Sequence, residues 1–95
     1  MPAYVIVEID IHDQEMYQAY TLLTPETIAR YNGKFIIRGG ESIVLEGNWN
    51  PKRVVTLEFP SVEIAKEWWN SDAYSAARKI RQKAATTNMI IVDGF

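Results

Sequence analysis

Residues 53–61 read Arg-Val-Val-Thr-Leu-Glu-Phe-Pro-Ser, and this stretch decides the fold. β-Branched and aromatic residues fill most of the first seven positions, so Arg53 to Phe59 is a strand. Val55, Leu57 and Phe59 fall on one face; Val54, Thr56 and Glu58 fall on the other. Pro60 stops the strand, and Ser61 can cap a helix. Ile64, Ala65, Trp68 and Trp69 mark the buried side of that helix. Ser71-Asp72 interrupts it and re-caps a further stretch from about Ala73 to Ala84, with Tyr74, Ala77 and Ile80 as apolar positions. Met89 to Val92 is a closing strand.

Upstream, a strand hands over to a helix once before. Tyr4 to Asp10 (YVIVEID) has strand length and composition, with Val5, Val7 and Ile9 forming a purely apolar face. Asp13 can cap the next helix, whose stripe is Met16, Tyr20 and Leu23. Thr24-Pro25-Glu26 reads as a break or kink and a fresh start, with Thr24 as cap and Pro25 at the first helical position. Ile28 and Tyr31 continue the apolar face, and Asn32-Gly33 ends it, with glycine in a left-handed cap. Lys34 to Arg38 (KFIIR) is a short strand, broken by Gly39-Gly40. Ser42 to Glu46 (SIVLE) is a second short strand or a hairpin arm, and Gly47 to Pro51 is a turn.

The order β-α-β-(β)-β-α-β implies an α+β, ferredoxin-like βαββαβ sandwich, an antiparallel sheet with the helices on one face. One domain over residues 1–95 is expected. The other sheet face would carry Tyr4, Ile6, Ile36 and Val54 in water, and a homodimer is the expected cover.

A net charge of -2 argues against nucleic acid as a partner. Arg78, Lys79, Arg81 and Lys83 read as the solvated face of a helix. With no cysteine, disulfides and thiol chemistry are excluded, and a cytoplasmic setting is expected. No apolar run is long enough to cross a membrane as a helix, and the N-terminal run is a strand, not a signal peptide. His12 is the single histidine, so no metal site is expected. Gly39-Gly40 lies in no phosphate-loop pattern, and no serine has nucleophile context.

By strand parity, the face away from the helices also holds Glu8, Arg38, Thr56 and Glu58. Glu8 and Arg38 then share one end of the sheet with His12. A carboxylate, a guanidinium and an imidazole at one mouth would make an acid–base and anion-binding set. Ion-pair networks place charges the same way, and that plainer reading is preferred. Trp68 and Trp69 are about 100° apart on a helix, so one packs inside and the other faces a partner or a pocket. Trp49, in the turn, could cap a cavity or insert into a second subunit, or simply cover the sheet edge.

The series Phe35 to Gly40 (FIIRGG), Leu45-Glu46-Gly47-Asn48-Trp49, Pro51, Arg53, Glu58-Phe59-Pro60-Ser61 and Ser71 to Arg78 (SDAYSAAR), with Tyr4 to Asp10 and the Tyr17–Tyr20 helix, resembles the domain-of-unknown-function family 1330 (DUF1330). The resemblance spans nearly the whole chain. It implies a dimeric α+β barrel and no established activity. Relatives in that superfamily include cofactor-free monooxygenases, muconolactone isomerase-like enzymes and haem-degrading proteins, by analogy of fold alone. Haem is discounted because His12 sits in an early turn, and no cofactor is expected.

Two functional readings stand side by side. In one, a small partly apolar or anionic molecule is bound or transformed, as by a cofactor-free isomerase or monooxygenase. Arg38 would then hold the anion, Glu8 or His12 would move a proton, Trp49 and Tyr74 would line the wall, and Arg53 would be a further substrate-binding residue. In the other, the chain is a non-catalytic binding or structural homodimer whose Arg38, Glu8, Glu46 and Arg53 form ion pairs.

Overall fold

Alternation along the first strand sets the layers. In β1 (Ala3–Ile11) the side chains of Ala3, Val5, Val7 and Ile9 are buried, and those between them stay partly open. The computed structural model describes all residues, 1–95. It continues with α1 (Gln14–Arg30), β2 (Lys34–Arg38), β3 (Val54–Phe59), α2 (Val62–Asn70), α3 (Asp72–Ala84) and β4 (Ala85–Asp93). The sheet order is β2-β3-β1-β4 with every neighbouring pair antiparallel, the ferredoxin-like order. The slab measures 35 × 33 × 16 Å, the depth of one sheet and one helix layer.

The core lies between those layers, where Val5, Val7, Val55, Leu57 and Phe59 meet Ile28, Trp68 and Tyr74. Trp68 is the inward tryptophan, with its ring between Phe59 (5.2 Å) and Tyr74 (4.0 Å). Asp13 caps α1 by accepting from Met16 N at 3.1 Å, and Ser61 caps α2 by accepting from Ile64 N. Ser71 serves two helices: its hydroxyl donates to Trp68 O and accepts from Tyr74 N. The interruption expected at Ser71-Asp72 is therefore present.

Five local expectations are corrected, the last at the end of α1. First, α1 runs unbroken through Pro25. Thr24 is not a cap; its hydroxyl donates back to Tyr20 O at 2.7 Å. An interior proline costs about 3 kcal/mol. Tertiary burial on both sides of it, at Tyr20, Thr24, Thr27 and Ile28, carries the helix across.

Second, of the expected stripe Met16, Tyr20 and Leu23, Tyr20 is buried and Met16 packs half-buried on the core, but Leu23 does not turn inward. The buried stripe is Tyr17, Tyr20, Thr24, Thr27 and Ile28, and Leu23 is exposed. The threonines tolerate burial because each hydroxyl is bonded, Thr27 both donating to Thr24 O and accepting from Trp68 Nε1.

Third, Ser42 to Glu46 forms no strand. Gly39, at φ +75°, turns the chain off the sheet after its N–H donates to Val54 O. The segment then runs as an arm with Ile43 and Leu45 exposed.

Fourth, β2 carries a β-bulge. Phe35 pairs with Leu57 and Ile37 with Thr56, so Ile36 is the extra residue. Arg38 therefore pairs with Val55 and shares its helix-facing side, opposite to what unbroken parity gives.

At the end of α1 it is Asn32 that adopts the left-handed conformation, at φ +59°. Gly33 is needed for space: a Cβ there would lie 2.5 Å from the Phe59 ring and 2.8 Å from Ile28. Gly33→Ala is expected to destabilise the fold by roughly 1–3 kcal/mol through overpacking. Asn32→Gly should cost far less, and urea unfolding of both variants checks the difference.

Candidate functional site

The bulge in β2 and the start of β3 bring two cations to one place. Arg38 and Arg53 both border a cavity of about 30 Å³ between the sheet and α1. Its walls are apolar and aromatic, including Val7, Tyr17, Tyr20, Phe35, Leu57 and Met89. The Arg38 guanidinium lies 4.2 Å from the centre of the Phe35 ring, and that of Arg53 lies 5.8 Å from Tyr17. Arg53 is half-buried beneath Gly39, where a Cβ would stand 2.1 Å from the guanidinium. Gly39 thus has two reasons to be glycine, its positive φ and this close approach.

Neither arginine is paired with a carboxylate. The ion pairs of the chain are Arg30–Glu26, Lys34–Glu58 and Lys52–Asp10. Arg53 Nε is buried without a hydrogen-bond partner in the protein. Two uncompensated guanidiniums beside an apolar hollow can receive an anion that carries an apolar group.

Tyr20, on the cavity wall, holds its phenol oxygen 2.8 Å from that of Tyr74. Burial pushes the Tyr20 phenol well above its ordinary value, and Tyr74 adds to the shift. Tyr20 is therefore a neutral hydroxyl at ordinary pH, a hydrogen-bonding group and not a base. Tyr74 does not line the wall; it is fully buried one ring behind.

The remaining site candidates lie elsewhere. Glu8 faces the open side of the sheet, where its Oε2 accepts from Trp49 Nε1 at 2.7 Å and its Oε1 from Asn88 Nδ2 at 3.1 Å. Trp49 thus lies over the open face and not at the cavity. His12 Nε2 is 2.6 Å from Thr86 Oγ1, at the end of β1. The structure brings Arg38 and Arg53 together and leaves Glu8, His12, Trp49 and Tyr74 outside that cavity. Unbroken parity hid this grouping, because one bulged residue moves a cation through the sheet. Tyr17 and Tyr20 were legible only as helix positions, since the true stripe of α1 contains threonines.

The sequence profile of a family described as a domain of unknown function, DUF1330, matches residues 2–95. No curated protein matches the chain. Among solved structures, a protein of unknown function from Rhodopseudomonas palustris is 23% identical, over 99% of this chain and 82% of that one, with a TM-score of 0.80. SnoaB, a cofactor-independent oxygenase from Streptomyces nogalater, is 8% identical over 99% of this chain and 93% of its own, with a TM-score of 0.66. A dimeric protein of unknown function and ferredoxin-like fold from Bacteroides fragilis is 17% identical over 98% and 96% of the two chains, with a TM-score of 0.57. At these identities the likeness is one of fold.

The buried phenol gives a prediction with a definite sign. Tyr20 keeps its proton in the folded chain beyond pH 10, where the unfolded chain releases it. The folded state then binds more protons, and stability falls as pH rises past that point. Tyr20→Phe should remove about 1.4 kcal/mol of this fall in total between pH 9 and 11, the slope approaching one proton's weight per unit only above that range. Urea unfolding from pH 9 to 11 measures it.

Proposed function

The chain belongs to the DUF1330 family, and on that premise we propose that it is a homodimer whose subunits each bind a small, partly apolar anion at Arg38 and Arg53. The observation that carries this reading is the pair of guanidiniums without carboxylate partners on the rim of an apolar cavity. The hollow admits only the tip of an apolar group, about one or two heavy atoms, and the charged end of the ligand stays at the rim. If the ligand is transformed there, the arginines stabilise developing negative charge and Tyr20 donates a hydrogen bond, which is chemistry open to a cofactor-free isomerase or oxygenase. The oxygenase activity of the Streptomyces nogalater neighbour is in keeping with that. Glu8 and His12 have no part at this cavity; Glu8 fastens Trp49 across the open face.

The second reading, a binding or structural dimer without catalysis, is favoured by one observation. A cavity of about 30 Å³ holds little more than a water or two.

Support for the dimer comes from the open sheet face. Ile37, Ile90 and Val92 are exposed there, and the arm with Ile43 and Leu45 lies beside it. One neighbouring structure is described as dimeric. Light scattering should give twice the chain mass, and Ile90→Lys should give monomers. A wild-type monomer at micromolar concentration would sink the dimer.

For the ligand site, butyrate and its neutral amide are suitable probes in an NMR titration. Butyrate should perturb amides around Arg38 and Arg53, and the Arg38→Met/Arg53→Met double variant should bind it at least tenfold more weakly. Equal binding by the double variant would refute the site.

A further inference from the structure

A second arginine site lies between the helix layer and the β4 edge of the sheet. Tyr74, Ala77, Arg81 and Ala84 form one buried stripe of α3, at spacings of three and four residues. Arg81 is thus not on the solvated face where the basic run places it; it is 3% exposed. A charge this deep calls for a paired anion. None is supplied by the chain, whose ion pairs all involve other residues. Arg81 Nη1 donates to Thr87 Oγ1, and Arg81 Nε is buried with no partner in the protein.

Nη1 lies on the Cδ side of the guanidinium, so its use by Thr87 leaves the other edge, formed by Nε and Nη2. That is the edge whose parallel N–H bonds match the two oxygens of a carboxylate. Arg81 also lines a groove of about 410 Å³ between α2, α3 and β4, a volume in the range of small-molecule sites. The groove is otherwise mostly apolar, with Trp69, Ile90 and Ile91 along it and Gln82 and Thr87 as polar groups. Trp69 is held in place by Arg78, whose guanidinium stacks 3.9 Å from the ring centre and donates to Trp69 O at 2.9 Å. Arg78 is thereby occupied, and Arg81 is the cation at the groove that lacks an anion.

We infer that this groove binds a small monocarboxylate with a flat or branched apolar body, the carboxylate meeting the Nε edge of Arg81 and the body lying along Trp69 and Ile91. A single guanidinium suits one negative charge and not a phosphate dianion. The site is separate from the one at Arg38 and Arg53, and the two can succeed or fail independently.

Phenylacetate and its neutral isostere phenylacetamide test it. The readout is the Arg81 Nε–H resonance of the wild-type protein, followed through the titration together with tryptophan fluorescence. Phenylacetate should shift that resonance saturably, and the amide should bind at least tenfold more weakly. Arg81→Lys, which keeps charge but loses the edge, should weaken phenylacetate at least tenfold at this groove, and the shift of the Arg81 resonance should persist in the Arg38→Met/Arg53→Met variant, which removes the other site. Equal binding of acid and amide, an unmoved Arg81 resonance, or undiminished affinity in Arg81→Lys would overturn the inference. So would an Arg81 resonance that moves on diluting the protein alone, since a second copy would then be supplying the anion. If Arg81→Lys does not fold, the wild-type resonance and the acid–amide comparison still decide.

Discussion

The placement of the Trp68 ring governs the rest of the structure. It is 1% exposed, lies against Phe59 of β3 and Tyr74 of α3, and donates through Nε1 to Thr27 of α1. One side chain from the shortest helix therefore ties that helix to the sheet and to both other helices. Aromatic contacts of this kind add about 0.5–1.5 kcal/mol each beyond the area they bury. The bonded threonines of α1 make sense in this setting. A leucine at Thr27 would leave the indole N–H without a partner at the centre of the molecule. The same ring borders both cavities, so the rim with Arg38 and Arg53 and the groove with Arg81 share a wall.

Most of the architecture was legible in the strands. Alternation fixes which face of β1 and β3 turns inward, and the caps at Asp13, Ser61 and Ser71 stand where short polar side chains precede apolar periodicity. The failures share a cause, because local preference was overruled by packing. Pro25 forbids a hydrogen bond but not a helix when both flanking turns are buried. Ser42 to Glu46 has strand-forming residues yet lies off the sheet edge, since Gly39 has already turned the chain away.

The candidate sites were less legible, for different reasons. Arg38 and Arg53 were both expected to bind substrate, but Arg38 was grouped with Glu8 and His12, and its meeting with Arg53 depends on the bulge at Ile36, which leaves no mark in the alternation of an all-apolar FII run. Arg81 hid within a basic run, where charge outweighed position in the reading. Its spacing from Tyr74, Ala77 and Ala84 was the available signal, and it places a guanidinium in the core as firmly as it places an alanine. Glu8 went the other way: its carboxylate has two neutral donors as partners, Trp49 and Asn88, and so serves to hold the loop across the sheet.

The bulge has an evolutionary side. In a regular strand, moving a charge from one face to the other takes two substitutions, one to remove it and one to install it next door. Here the loss or gain of a single codon near Ile36 would carry Arg38, with its side chain intact, from the helix layer to the open face. Length variation in this edge strand, which the outer edge of a sheet tolerates well, is then a direct route by which related chains could exchange a cation beside the internal cavity for a charged contact on the opposite face.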